Sequence, residues 1–123
     1  MLDINEFAEK SYQIALQRKA NGANVFTTPS MVLKHCASEV VEATEAYFDL
    51  EKKRALLERN PVVDGDIVWR SLQTEVTNLE DELADIVCCA CIVSAELNLD
   101  MAKALKRCQR KNQARAMKVG DKL

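Results

Sequence analysis

Residues 33–50, LKHCASEVVEATEAYFDL, and residues 79–97, LEDELADIVCCACIVSAEL, carry the reading from which the rest of the chain follows. Apolar side chains recur every three or four positions in both. Leu33, Cys36, Val40, Ala43, Tyr47 and Leu50 form the first set, and Leu79, Leu83, Ile86, Ala90, Val93 and Leu97 the second. That period puts each set on one face of an α-helix, and two such stripes predict two long helices packed together. His35, Glu39, Glu42 and Asp49 run along one border of the first stripe. Glu75, Asn78, Glu82, Asp85 and Glu96 lie near the border of the second. Glu39 and Glu42 are spaced i,i+3, as are Glu82 and Asp85, so the members of each pair point the same way. Packing the stripes would bring the two acidic edges together beside the core. Carboxylates gathered there repel one another unless a cation sits between them. Hard oxygen donors suit Mg²⁺, which keeps several waters and takes substrate phosphates as further ligands. The plainer alternative is a pair of solvated acidic faces, because exposed glutamate is common on helices.

Outward from these stretches, the punctuation predicts four helices. Asp3 followed by Glu6 resembles a capping box and opens a first helix reaching about Lys19. Residues 20–28, ANGANVFTT, carry the turn residues of a loop. Thr28-Pro29 reads as an N-cap with a first-turn proline, starting a second helix that Asn60-Pro61 stops near Arg59. Residues 60–68, NPVVDGDIV, read as a second loop, and a third helix runs from about Trp69 to Leu97. Asn98 suits its end, and Asp100 caps a fourth helix from Met101 to about Ala116. The tail, KVGDKL, reads as frayed. Three glycines, two prolines and no strand-like alternation make the expected fold all-α, a four-helix bundle in one domain over residues 1–123.

Composition narrows the function classes. Apolar residues at 48% and charged residues at 29% describe a globular chain rather than a disordered one. A net charge of −2 argues against a surface that coats nucleic acid. No apolar run approaches the roughly 20 residues of a membrane span. The opening MLDINEFAEK lacks a signal peptide's basic and apolar regions, so the expected location is cytoplasmic. The five cysteines, Cys36, Cys88, Cys89, Cys91 and Cys108, fit that expectation as small apolar residues in a reducing compartment. A second apolar patch, Ala37, Val41, Thr44 and Phe48, lies on the far side of the second helix and predicts a homodimer or homotetramer.

A basic stripe completes the picture. Lys103, Arg107, Lys111 and Arg115 recur every four residues along the fourth helix. Such a stripe complements the helix dipole, and it also suits phosphate, which arginine grips bidentately and lysine as a point charge.

In their order, SEVVE, ELAD and KNQAR resemble the MazG-like, all-α nucleoside triphosphate pyrophosphohydrolases, over about Leu33 to Arg115. That superfamily also holds all-α dUTPases, dCTP pyrophosphatases and phosphoribosyl-ATP pyrophosphohydrolases. The resemblance implies that Glu39, Glu42, Glu82 and Asp85 form the catalytic metal site, holding Mg²⁺ with Mn²⁺ as a substitute. It implies that Lys111, Asn112 and Arg115 bind phosphate. The implied reaction splits a nucleoside triphosphate between its α- and β-phosphates, releasing a monophosphate and pyrophosphate, as house-cleaning enzymes of nucleotide pools do. Two departures stand out: Ser38 occupies the first motif position in place of glutamate, and the gap between the acidic motifs is longer than the family's.

Base recognition stays open between His35, Asn21, Asn24, Phe26 and Trp69 as contacts and the same residues as ordinary helix, loop and core positions. Two rival readings remain beside the broad triphosphate hydrolase: a narrow dUTP or dCTP pyrophosphatase, and a non-catalytic helical interaction module.

Overall fold

Four helices among the described residues begin where a short polar side chain satisfies the first free N–H groups. Asp3 Oδ1 accepts from the backbone N–H of Asn5 at 2.9 Å and of Glu6 at 3.3 Å. Thr28 Oγ1 accepts from Met31 N at 3.2 Å, Asp64 Oδ1 from Ile67 N at 3.0 Å, and Asp100 Oδ1 from Lys103 N at 3.0 Å. The computed structural model describes residues 2–22, 28–60 and 64–117. Among these residues there are five helices and no strand: α1 (Ile4–Ala20), α2 (Pro29–Glu58), α3 (Gly65–Ser71), α4 (Gln73–Glu96) and α5 (Met101–Ala116). The fold class is all-α, as expected. No helix among the described residues is long and apolar enough to cross a membrane.

The connection before α4 departs from expectation. Part of the predicted second loop is the short helix α3, and the predicted third helix begins at Gln73 rather than Trp69. Leu72 separates them with φ −95° and ψ 0°. Its N–H bonds Trp69 O at 3.2 Å, and its carbonyl accepts from Val76 N at 2.9 Å. Val68, Leu72, Val76 and Leu79 keep a helical spacing across the break, and neither glycine nor proline marks it. Burial of Val68 and Leu72 holds the offset in place.

The described residues fall into two compact units. The first comprises residues 28–60 and 64–90: α2, α3 and α4 up to Ala90. Here α2 and α4 run antiparallel. Lys53 Nζ meets Glu75 Oε1 at 2.8 Å towards one end, and Cys36 Sγ lies 4.0 Å from Ile86 O towards the other. The face that α2 buries is rotated from the predicted stripe. Val32, Glu39 and Ala43 are buried, with Cys36, Ala46 and Leu50 half-buried, whereas Leu33, Val40 and Tyr47 are exposed. On α4, Glu75, Leu79, Glu82, Ile86 and Cys89 line the covered side while Leu83 stays exposed. Both helices carry two adjacent apolar faces, so hydrophobic periodicity alone could not select the one turned inward. The smaller side chains at Cys36, Ala43, Ala46 and Cys89 occupy the covered side.

The second unit comprises residues 2–22 and 91–117: α1, the end of α4 and α5. Ala8, Ser11, Cys91, Val93 and Ser94 are its buried residues. Asn98 sits at φ 55°, and the bonds Leu99 N to Ser94 O at 2.8 Å and Asn98 N to Ala95 O at 3.1 Å close α4 in a Schellman motif. Asn5 pins the start of α5, donating to Asp100 Oδ1 at 3.0 Å and accepting from Ala102 N at 3.1 Å.

Candidate metal centre

One helical turn separates Glu39 from Glu42 on α2, and the antiparallel α4 brings Glu82 across to them. One carboxylate oxygen from each of the three residues lies within 4.8 Å of the other two. Glu39 is 7% exposed, Glu82 half-buried and Glu42 on the open side. Glu39 Oε2 and Glu82 Oε2 are buried without a hydrogen-bond partner. Ionised carboxylates only accept hydrogen bonds, so buried oxygens placed this way need a shared proton or a cation between them. Burial, hydrogen bonding with Glu39 and the charge of Glu42 push the Glu82 carboxyl up to about 7. The donor set of hard oxygens, its convergence and its two orphaned buried atoms fit a divalent cation such as Mg²⁺ or Mn²⁺.

Asp85 lies one turn beyond Glu82, is exposed, and is not among the three converging carboxylates. Its charge is felt by Cys89, whose thiol is pushed up to about 11, first by burial and then by Cys36, Cys88, Glu39 and Asp85. A thiol so disfavoured as thiolate is a packing residue. Cys89 and Cys91 are buried, Cys36 and Cys88 half-buried, and Cys108 is exposed on α5.

His35 pairs with the first of the converging carboxylates. Its Nε2 lies 2.9 Å from Glu39 Oε1, one turn back on the same helix. Trp69, on α3, is 58% exposed and lines a cavity of about 310 Å³ with Arg54, Glu58, Gly65, Val68 and Leu72. Along α2, Arg54 is twelve residues from Glu42, which at 1.5 Å per residue is about 18 Å. That span places Trp69 at the far end of α2 from the carboxylates. Asn21 is the exposed C-cap of α1, its backbone N–H bonded to Gln17 O at 3.0 Å. Asn24 and Phe26 lie outside the described residues.

Lys111, Asn112 and Arg115 are all exposed on the last two turns of α5, in the second unit. Asn112 Nδ2 contacts Cys108 Sγ at 3.7 Å. Among the contacts of the first unit that escaped the sequence reading are the His35–Glu39 pair and the Lys53–Glu75 bridge. The first had a signal in its i,i+4 spacing. The second joins residues 22 apart and had none.

Comparison of the chain with known protein families, with curated proteins and with solved structures found no match.

Proposed function

We propose that this chain is a Mg²⁺-dependent nucleoside triphosphate pyrophosphohydrolase of the MazG-like, all-α type, acting in the cytoplasm on nucleotide pools. The observation that carries the reading is the convergence of Glu39, Glu42 and Glu82 within 4.8 Å, with two of their oxygens buried and lacking donors. A bound Mg²⁺ would supply positive charge against the phosphate oxygens. Glu39 and Glu82 would hold it from the buried side, with Asp85 one turn further along α4 as an outer acidic group. Glu42, on the open side, would take the proton from the attacking water as that water bonds to the α-phosphorus and pyrophosphate leaves. Lys111, Asn112 and Arg115 on α5 are the phosphate-binding candidates of the same reading, two by their charge and the third by its amide donor.

A homodimer or homotetramer belongs to the same reading. Val41 and Phe48 (62% exposed), on the predicted second patch of α2, are uncovered, and so are the neighbouring Leu33, Val40 and Tyr47. A contiguous apolar helix face of this length suits a second copy that completes a four-helix bundle. Light scattering should give a multiple of the 13.8 kDa chain mass.

Incubation of the protein with common triphosphates and Mg²⁺, followed by chromatography, tests the activity. A nucleoside monophosphate and pyrophosphate are expected. A diphosphate with orthophosphate, or no turnover across the whole panel, would sink the proposal.

A further inference from the structure

We infer that His35 is a positioning residue for Glu39, holding one carboxylate oxygen so that the other faces the metal cluster. The inference rests on the metal-site reading above and concerns how that site is built. Helical side chains lean towards the N-terminus, so a glutamate at position i+4 folds back over the turn that starts at i. Glu39 therefore reaches His35, and the imidazole Nε2 stands 2.9 Å from Glu39 Oε1. The partner oxygen, Oε2, is buried and has no hydrogen-bond partner, and a carboxylate oxygen of the same residue converges with those of Glu42 and Glu82.

The two ends of this arrangement differ in exposure. The imidazole is 37% exposed and the Glu39 side chain 9%. His35 thus touches the outer edge of a carboxylate whose remaining surface is inside. The glutamate side chain has several rotatable bonds, and packing against methyl or thiol groups cannot choose between its two oxygens. An N–H donor can choose, because it fixes one oxygen at hydrogen-bond distance and sets the plane of the carboxylate. Hydrogen bonds of this kind to a ligating carboxylate govern metal affinity without touching the ion.

This role differs from base contact in a way that can be measured without nucleotide. The full-length protein is titrated with Mn²⁺ alone, and free Mn²⁺ is followed by electron paramagnetic resonance. Parent, His35→Leu, His35→Asn and His35→Gln are compared, with helicity checked by circular dichroism. Leucine has no donor. Asparagine is polar but too short to span the turn, so it repeats the loss without an added apolar group. Glutamine offers an amide N–H at similar reach. The expected result is an affinity loss of about tenfold or more for His35→Leu and His35→Asn, with His35→Gln within about threefold of the parent.

If the parent takes up no Mn²⁺, the metal site itself falls and this inference with it. If the parent binds and either donor-less variant that stays helical binds equally tightly, the role of His35 alone is overturned. Equal weakening in His35→Gln would overturn it too, since the donor would then not be what matters.

Discussion

Glu82 and Asp100 are both acids at helical positions, yet their surroundings drive their carboxyls in opposite directions. Asp100, in the second unit, accepts from the Asn5 side chain and from Lys103 N, and those donors hold its carboxyl below the usual aspartate range. Glu82, in the first unit, is desolvated and faces Glu39 and Glu42, and its carboxyl rises to about 7. Hydrogen-bond donors make the first acid a fastener between α1 and α5. The second has fellow carboxyls for neighbours, and its Oε2 is buried without a partner. A third acid, Glu75, lies between these extremes. Lys53 bonds its Oε1 and lowers its carboxyl, while its Oε2 is buried without a partner.

The largest effect should come from removing charge at the convergent acids. Glu39→Gln, Glu42→Gln and Glu82→Gln keep the shape but delete a ligand charge. Each should lower turnover about a hundredfold or more while the metal-free protein melts at a higher temperature. Asp85→Asn should cost activity as well, and less than the three. Activity and melting curves matching the parent in all three would remove the contrast with Asp100, and with it the metal site.

Asp100→Ala should do the reverse, lowering the melting temperature by a few degrees without removing Mn²⁺ binding, because it deletes a cap and the link to Asn5. Loss of metal affinity in that variant would show that the two acids are not independent.

Their pH dependences should also be opposite. Between an unfolded value of 4.5 and a folded value of about 7, the folded chain binds the Glu82 proton more tightly than the unfolded chain does. Glu82 thus makes stability fall as pH rises through that window and flatten above it. Asp100, lowered from 3.8, gives stability that is complete above that value and lost as pH falls through the lower folded one. Melting temperature against pH, with and without Glu82→Gln, measures the first slope, and the variant should flatten it. Mn²⁺ affinity should climb towards neutrality as the shared proton leaves.

The smallest effect belongs to Lys53→Met. It breaks a bridge whose lysine is half-buried and still reached by solvent, and should shift the melting temperature by only about a degree or two. A larger fall would mean that Glu75 resembles Glu82 more than Asp100.

Sequence by itself determined the helical class, because periodicity and capping are local. Asp3, Thr28 and Asp100 cap residues within three positions of themselves, and the starts of α1, α2 and α5 were legible from them. The i,i+3 pairing of Glu39 with Glu42 was legible for the same reason. Tertiary structure alone decided which of two neighbouring apolar faces each long helix turned inward, and therefore that Glu39 is buried rather than bordering. It decided that Glu82 joins the α2 acids while Asp85, one turn on, stays exposed. It set the break at Leu72, where no residue type announces a helix end and only the burial of Val68 and Leu72 holds the offset. The division follows from range. A cap or a turn of helix is settled by partners a few residues away, whereas the rotation of one helix against another is settled by side chains from 22 to 50 residues apart, which the linear pattern does not join.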